Sequence, residues 1–173
     1  MLCAFFGFMR VGEFAANSKR AIQDSILQIK DIRFCLSQPT GLSVDIVLQR
    51  SKANQLGPPQ LIHLSEATDK NLCPVHALHA FVIMRPKHQG ILFCHFDGTP
   101  FTKFQFSAVL QKALVQTGLE GQHFRTHSFR IGAATTAFEY GVPLSSIQDL
   151  GRWRSQAVLT YIRPDTLPTE NNC

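Results

Sequence analysis

The chain has 173 residues, of which 45% are hydrophobic and 17% are charged, which suits one domain with a substantial core. Its 17 Lys and Arg residues exceed its 12 Asp and Glu residues, giving a formal net charge of +5. This moderate basic excess is compatible with a nucleic-acid partner without establishing one. Five cysteines without paired spacing, no recognisable leader and no apolar run of membrane length argue against a secreted disulfide scaffold and a membrane protein. We therefore expect a reduced, intracellular protein.

The first nine residues, MLCAFFGFM, are almost entirely apolar and predict a buried helix without a capping residue before it. Natural domains seldom begin in the middle of a core. We therefore expect that an amino-terminal portion of the protein is absent from this sequence.

The first half of the chain predicts a small antiparallel sheet. Val44, Ile46 and Leu48 alternate toward one face, as in a half-buried strand. A turn-forming stretch at 54–59 would let the chain return along this strand, with Arg50, Ser51 and Lys52 at the tip of the hairpin. The predicted strands are Leu27–Phe34, Val44–Leu48 and Gln60–Leu64.

The second half predicts helices. Pro74 opens one that runs to about Met84 and ends before Pro86, and Thr102 is the expected N-cap of another that Gly118 closes. The apolar stripe predicted for that second helix comprises Phe106, Val109, Leu110, Ala113 and Leu114. Shorter helices are expected at 128–140, at 143–150 and from about Ser155. The predicted fold class is α+β, mostly α-helical with a small three-stranded antiparallel sheet.

Cys73, His76 and His79 have the spacing of potential metal ligands, at i, i+3 and i+6. A zinc site needs four well-placed ligands, and no convincing second pair follows, although Cys94 and His95 are adjacent. Structural histidines are therefore the favoured interpretation. Residue types alone leave a Cys–His or Ser–His hydrolase open, but the chain has neither a nucleophile elbow nor a glycine-rich phosphate loop.

The most informative segment is THSFRIGAATT at 126–136. His127 and Arg130 are three residues apart and would share one face near the start of a helix. The unpaired N–H groups and the positive dipole at that end suit a phosphate. The sequence LGRW at 150–153 follows, and Tyr161 comes ten residues after Gly151.

These motifs, in this order, resemble the catalytic domain of the tyrosine recombinases, the phage integrase family. The resemblance is nearest to recombinases of eukaryotic mobile elements such as DIRS-like retrotransposons and Cryptons. Four features carry it: FGFMRVGE at 6–13, Lys52 at the hairpin tip, HSFR at 127–130, and LGRW at 150–153 leading to Tyr161. The resemblance implies one catalytic domain over 1–173, with the family's amino-terminal core-binding domain apparently absent.

The resemblance also implies a set of site residues. Many family members have a His after Leu-Gly, whereas this chain has Arg152 followed by Trp153. Either side chain could contact the scissile phosphate, and we favour Trp153 because its indole N–H is a donor. The implied catalytic residues are Arg10, Lys52, His127, Arg130, Trp153 and Tyr161, with Glu13 and Arg152 in support.

Physical chemistry supports these roles independently. Attack of a phenol on a DNA phosphodiester adds negative charge to the phosphate oxygens, which the guanidiniums of Arg10 and Arg130 can stabilise. Lys52 can protonate the departing 5′ oxygen, and His127 can bind the phosphate or accept the phenol proton. Tyr161 is then the covalent nucleophile. Because the arginines supply the charge, no cofactor or divalent metal is expected.

The expected activity is DNA cleavage and rejoining through a 3′-phosphotyrosine, in site-specific recombination or integration of a mobile element. The expected partners are double-stranded DNA and further copies of the chain, as a tetramer on DNA, and no membrane. The expected location is the nucleus if the protein is eukaryotic. A catalytically inactive, transposon-derived DNA-binding remnant and a type IB topoisomerase-like relaxation activity are the alternatives.

Three candidate residues have simpler interpretations, and the first of them, Lys52, could be an ordinary turn lysine. Arg10 and Glu13 could form an ordinary surface ion pair, which is worth only tenths of a kcal/mol. Their apolar surroundings favour a role for Glu13 in orienting Arg10. Tyr140 comes just before a helix-ending glycine and is interpreted as a packing or surface residue.

Overall fold

The computed structural model describes residues 1–20, 26–38, 41–49, 57–87, 89–119 and 124–163. The strands are β1 (Ile32–Ser37), β2 (Gly41–Leu48) and β3 (Gln60–Ser65). The helices are α1 (Leu2–Phe6), α2 (Val11–Phe14), α3 (Pro74–Met84), α4 (Lys103–Gln116), α5 (Ser128–Glu139) and α6 (Leu144–Leu150). Short 3₁₀ helices lie at Ile29–Asp31, Lys70–Leu72 and Gln156–Thr160. The predicted fold class is confirmed, and none of the described helices is long and apolar enough to cross a bilayer.

The sheet is antiparallel, with β2 between β1 and β3. Ile46 of β2 pairs with Ile32 on one side and with Ile62 on the other. Because strand residues alternate between faces, Val44, Ile46 and Leu48 all point into the core, as predicted. α3 packs against this sheet and supplies Val75 and Leu78 to the same core.

The prediction of a first strand over 27–34 is wrong at both ends. The strand begins at Ile32, after a 3₁₀ turn, and continues to Ser37. The N–H of Gln28 donates to the Asp31 carboxylate over 2.9 Å, and the N–H of Asp31 donates back to the Gln28 carbonyl over 3.0 Å. These two bonds bend the chain into the turn, because a carboxylate that caps a backbone N–H competes with strand pairing.

The predicted helix over the first nine residues is also wrong in extent. α1 covers only Leu2–Phe6, because Gly7 caps it and Phe8 adopts a positive φ of 48° that a helix cannot contain. Phe8 and Met9 are nevertheless buried, as their apolar character suggested. α1 packs on both α3 and α5 and so joins the core beneath the sheet to a smaller core around α5 and α6.

α4 begins where its cap was predicted. The hydroxyl of Thr102 accepts the N–H of Gln105 over 3.3 Å, and the Gln105 side chain accepts the N–H of Thr102 over 2.9 Å. Phe106 and the residues four and eight positions later are buried, but the predicted stripe residue Val109 is 52% exposed. At 3.6 residues per turn, Val109 lies about 100° around the helix from the centre of that buried line.

Replacing Thr102 with Ala should lower the free energy of unfolding by about 1 kcal/mol, because the N–H of Gln105 in the first turn of α4 loses the hydroxyl that accepts it. Urea unfolding followed by circular dichroism measures this loss. Ser107→Ala, in the middle of the same helix, is the matched control and should change stability by less than about 0.5 kcal/mol. Equal losses in both variants would contradict the capping role.

Candidate active site

Three of the predicted site residues meet around the ring of a fourth, Tyr161. The centroid of this ring lies 4.9 Å from that of His127 and 4.7 Å from that of Trp153. The guanidinium carbon of Arg130 lies 5.6 Å from the Tyr161 centroid and 4.4 Å from the Trp153 centroid. His127 directly precedes α5, Arg130 lies in its first turn, Trp153 follows α6, and Tyr161 directly follows the last 3₁₀ helix. Three separate elements therefore build one cluster.

Arg130 is fully buried beneath these rings. Its two terminal nitrogens donate to backbone carbonyls, one to Phe8 and one to Gly151, the latter over 2.8 Å. A guanidinium has five N–H donors, so several remain, and Nε is buried without a hydrogen-bond partner in the described part of the chain. The sequence predicted that Arg130 lies near the start of a helix, and the structure adds that it is buried there with spare donors.

Arg152 is tied to the backbone of the amino-terminal segment. Its side chain is 6% exposed and donates to the carbonyls of Gly7 and Phe8, both over 3.1 Å, and of Leu150 over 3.3 Å. It also forms an ion pair with Glu13 at 3.1 Å. Arg152 has a left-handed φ of 57°, which is uncommon for a non-glycine residue and turns the chain between α6 and Trp153. Its terminal nitrogens are thus committed to protein acceptors.

Glu13 joins Arg10 to Arg152. Its buried carboxylate accepts from the Arg10 guanidinium and from the Arg152 guanidinium, each over 3.1 Å, and from the Arg10 backbone N–H over 2.9 Å. Glu13 therefore contacts Arg10 directly, and its role in orienting Arg10 stays a prediction. Arg10 keeps 23% of its side chain exposed. Together with Arg130, the four charged groups leave an excess of two positive charges, which favours an anion at this place.

Trp153 is buried among Phe8, Arg130 and Tyr161, and its indole N–H has no hydrogen-bond partner among the described residues. A buried donor without a partner costs about 1–3 kcal/mol, and an ordered water or a bound ligand would remove this cost. The ring lies so close to the α-carbon of Gly151 that a β-carbon there would overlap it. Glycine at 151 is therefore required by the position of Trp153.

Burial and the neighbouring positive groups together favour the neutral form of His127. Burial lowers the pKa of His127 below its usual value, and the neighbouring cations Arg130, Arg10 and Arg163 lower it further. Burial and the cations Arg10 and Arg152 lower the pKa of Arg130 to about 10, which leaves it protonated at neutral pH. The cluster thus combines charged guanidiniums with a neutral imidazole, a pair able to bind an anion and accept a proton.

One candidate catalytic residue and the second tyrosine remain to be considered. Lys52, with its neighbours at the predicted hairpin tip, falls outside the described residues. Tyr140 caps the far end of α5 and is 85% exposed, well apart from the cluster.

The Cys–His–His spacing does not assemble a site. The Cys73 sulfur accepts the N–H of Ala67 over 3.3 Å, His76 pairs with Glu66, and the ring of His79 packs edge-on against that of Phe34. Within the described ranges, no three His, Cys, Asp or Glu side chains are grouped to hold a metal.

Sequence reasoning missed two contributions to the cluster. The Phe8 carbonyl accepts from both Arg130 and Arg152, and Gly151 supplies a second carbonyl and the space for Trp153. Backbone acceptors leave no residue-type signal, so no sequence pattern could have indicated them. The sequence shows the glycine of LGRW, but only the structure shows that the Trp153 ring leaves no room for a side chain there.

Gly151→Ala should lower the free energy of unfolding by about 1–3 kcal/mol, because the backbone at 151 (φ −81°, ψ −6°) accepts Ala but the Trp153 ring must move. Trp153 is the single tryptophan of the chain, so its fluorescence reports the displacement directly. In a Trp153→Ala background the same change should cost almost nothing, as urea unfolding would show. An undiminished cost there would contradict the packing explanation.

The ring of His127 should titrate below the usual value of about 6.5, as followed by NMR with His127→Gln for assignment. Arg10→Gln should raise this midpoint, because it removes a neighbouring cation. Since the pKa is lower in the folded than in the unfolded chain, His127 stabilises the fold fully above about pH 6.5, and this contribution is lost as the pH falls. If the midpoint lay at or above 6.5 and did not change in Arg10→Gln, the explanation of the lowered pKa by burial and neighbouring cations would be contradicted.

Comparison with known proteins agrees with the resemblance in the motifs. The chain is 26% identical over 157 residues to an integrase/recombinase xerD homolog of Selenomonas ruminantium, an alignment that covers 84% of this chain and 43% of that protein. The chain thus spans less than half the length of this curated relative.

Solved structures share the fold. The XerH site-specific recombinase bound to difH substrate, in a pre-cleavage complex, matches with a TM-score of 0.65 and 21% identity, over 95% of this chain and 42% of that one. The Tn1549 transposon integrase in complex with circular intermediate DNA matches with a TM-score of 0.54 and 11% identity, over 94% of this chain and 52% of that one.

The family itself is shown by sequence. The sequence profile of the phage integrase family matches residues 49–166, about two thirds of the chain and the part that contains HSFR, LGRW and Tyr161. The chain therefore belongs to the phage integrase family.

Proposed function

We propose that this chain cleaves and rejoins double-stranded DNA through a covalent 3′-phosphotyrosine formed by Tyr161. The observation that carries the proposal is the position of the Tyr161 ring, in contact with His127, Arg130 and Trp153 within a cluster of net positive charge. A phenol among phosphate-binding groups is the arrangement that nucleophilic attack on a phosphodiester needs. Membership of the phage integrase family supports the same activity.

The scissile phosphate is proposed to bind where donors are left unsatisfied. Arg10 offers its partly exposed guanidinium, and Trp153 and Arg130 offer buried N–H groups that have no partner in the described parts of the chain. Phosphate oxygens would satisfy these donors and gain charge-assisted bonds. Because Arg130 is covered, the Tyr161 ring must swing aside as the phosphate enters, which is also the movement that presents its oxygen for attack.

Between the two candidates for the third phosphate contact, the contacts favour Trp153. The terminal nitrogens of Arg152 already serve three carbonyls and Glu13, although its buried Nε, like the indole N–H of Trp153, has no partner among the described residues. The Trp153 ring, unlike the Arg152 side chain, contacts the ring of Tyr161. Arg152 and Glu13 are thus proposed to hold the arginines and the Trp153 turn in place.

The proposed step conserves atoms and charge. The Tyr161 oxygen bonds to phosphorus, the bond from phosphorus to the 5′ oxygen breaks, and the phenol proton passes to the neutral imidazole of His127. The 5′ oxygen takes a proton from Lys52, whose role rests on the resemblance alone. Rejoining is the reverse, with a 5′ hydroxyl attacking the phosphotyrosine. The phosphotyrosine bond retains the energy of the broken phosphodiester. The scheme requires no metal, because the arginines stabilise the charge on the phosphate.

The biological process in which this activity takes part is proposed only as a general class. Similarity to a protein named a site-specific recombinase and to one named a transposon integrase supports recombination or integration of a mobile element. An origin in a eukaryotic mobile element, a nuclear location and a tetramer assembled on DNA stay predictions of the sequence. The assignment of residues 1–173 as a catalytic domain that lacks the family's amino-terminal core-binding domain also stays a prediction.

A DNA-binding remnant without catalysis is the second candidate. Full burial of Arg130 favours it, because no phosphate reaches this side chain in the conformation described. A remnant would bind duplex DNA with an affinity that falls steeply as salt rises, at roughly micromolar strength or weaker, and would form no adduct.

The test uses nicked suicide duplexes with a randomised central sequence, which avoids the need to know the target. Incubated with the chain in EDTA, they should yield a denaturant-resistant protein–DNA adduct, because release of the fragment beyond the nick prevents rejoining. Tyr161→Phe should abolish the adduct, and mass spectrometry should locate the 3′ phosphate on Tyr161.

Tyr140→Phe is the matched control, since these two are the only tyrosines of the sequence. It should retain the adduct, because Tyr140 lies on the exposed far end of α5. An adduct that survives Tyr161→Phe would reject the nucleophile. Salt-sensitive DNA binding without any adduct would reject catalysis and support the remnant, and an adduct that forms only after magnesium is added would contradict the metal-free scheme.

A further inference from the structure

Thr135 is a buried polar residue in the middle of α5 that the proposed mechanism does not use. Its hydroxyl donates to the carbonyl of Tyr161 over 3.2 Å and accepts the backbone N–H of Arg163 over 3.0 Å. A hydroxyl has one donor and two acceptor positions, so its donor and one acceptor are engaged. Both bonds lead to the segment that carries the proposed nucleophile.

These bonds come where regular structure ends. The last 3₁₀ helix stops at Thr160, and the N–H of Tyr161 donates to the carbonyl of Val158 over 2.9 Å. Buried Val158 therefore anchors the chain before Tyr161. Residues 162 and 163 belong to no helix or strand, and the hydroxyl of Thr135 spans them by binding the backbone on both sides of Ile162.

The same helix holds the proposed phosphate ligand. Arg130 lies five residues before Thr135 on α5, a rise of about 7.5 Å along the axis. α5 thus holds both the guanidinium that would bind the phosphate and, through Thr135, the backbone that carries the attacking phenol. Fixing both to one helix sets their separation without restricting rotation of the Tyr161 side chain about its own bonds.

We propose that Thr135 is a positioning residue, which holds the backbone of Tyr161 at a fixed place relative to Arg130 while the side chain remains able to swing toward the phosphate. The inference rests on the proposed function, because it concerns the geometry of attack by Tyr161. An error of about 1 Å in the position of a reacting group can reduce a rate by about 100-fold. Thr135 thus acts through Tyr161 and touches no substrate.

The first test needs no DNA. Labelling with 3-fluorotyrosine should give two ¹⁹F resonances, one from Tyr161 and one from exposed Tyr140. Thr135→Val, which keeps the shape and removes the hydroxyl, should shift and broaden the Tyr161 resonance and leave the Tyr140 resonance unchanged. Thr135→Ser should restore the Tyr161 resonance, because it restores the hydroxyl.

Two controls separate positioning from general damage. Thr136→Val makes the same change one position along, where the hydroxyl has no hydrogen-bond partner in the described part of the chain, and should leave both resonances in place. In the unmodified chain, the Arg163 amide should be protected from hydrogen exchange, which tests the tether even if Thr135→Val fails to fold. An unprotected Arg163 amide, or an unchanged Tyr161 resonance in folded Thr135→Val, would overturn the proposal.

The second test measures the single-turnover rate of adduct formation on the nicked duplex pool. Thr135→Val should slow this rate by about 10- to 100-fold while the DNA concentration for half-saturation stays within about twofold, and Thr135→Ser and Thr136→Val should match the wild type. Equal rates in Thr135→Val and wild type would overturn the inference and leave the proposed function standing. If the wild type forms no adduct, the proposed function fails, and the fluorine spectra and Arg163 exchange still decide whether Thr135 fixes Tyr161.

Discussion

The backbone carbonyl of Phe8 is the acceptor on which the candidate site depends. It accepts from the guanidiniums of Arg130 and Arg152, which come from two other elements of the fold. Burying a cation costs less where acceptors meet most of its donors and a counter-charge is near, and Glu13 provides that charge for Arg152. The left-handed backbone at Phe8 presents this carbonyl, so one local turn permits two arginines to lie inside the protein.

The buried arginines explain why the rest of the cluster has its form. The guanidinium of Arg130 lies against the faces of Trp153 and Tyr161, a cation–π arrangement that holds both rings close to it. Burial and, after it, the same positive charges lower the pKa of His127 and favour its neutral form. The contacts that Arg130 makes with its neighbours thus serve two purposes. They pack the rings against the helix, and they place positive charge where an anion would bind.

Some of the architecture was readable from local pattern. Alternation in β2, Pro74 at the start of α3 and Thr102 before α4 each predicted the element that the structure contains, because periodicity and capping are short-range effects. The failures are also local. The turn stabilised by Asp31 replaced part of a predicted strand, and Val109 faces outward because periodicity identifies an apolar face without fixing its edges.

The sequence by itself determined the family motifs, their order and the residue types around the proposed chemistry, because these are properties of the chain alone. Only the tertiary structure decided that Arg130 is buried, that Arg152 serves backbone acceptors while the Trp153 N–H has none, and that Thr135 holds the segment after Tyr161. The physical reason is distance along the chain. The Phe8 carbonyl lies 122 residues from Arg130 and 144 from Arg152, and a backbone acceptor at that separation leaves no trace in residue type.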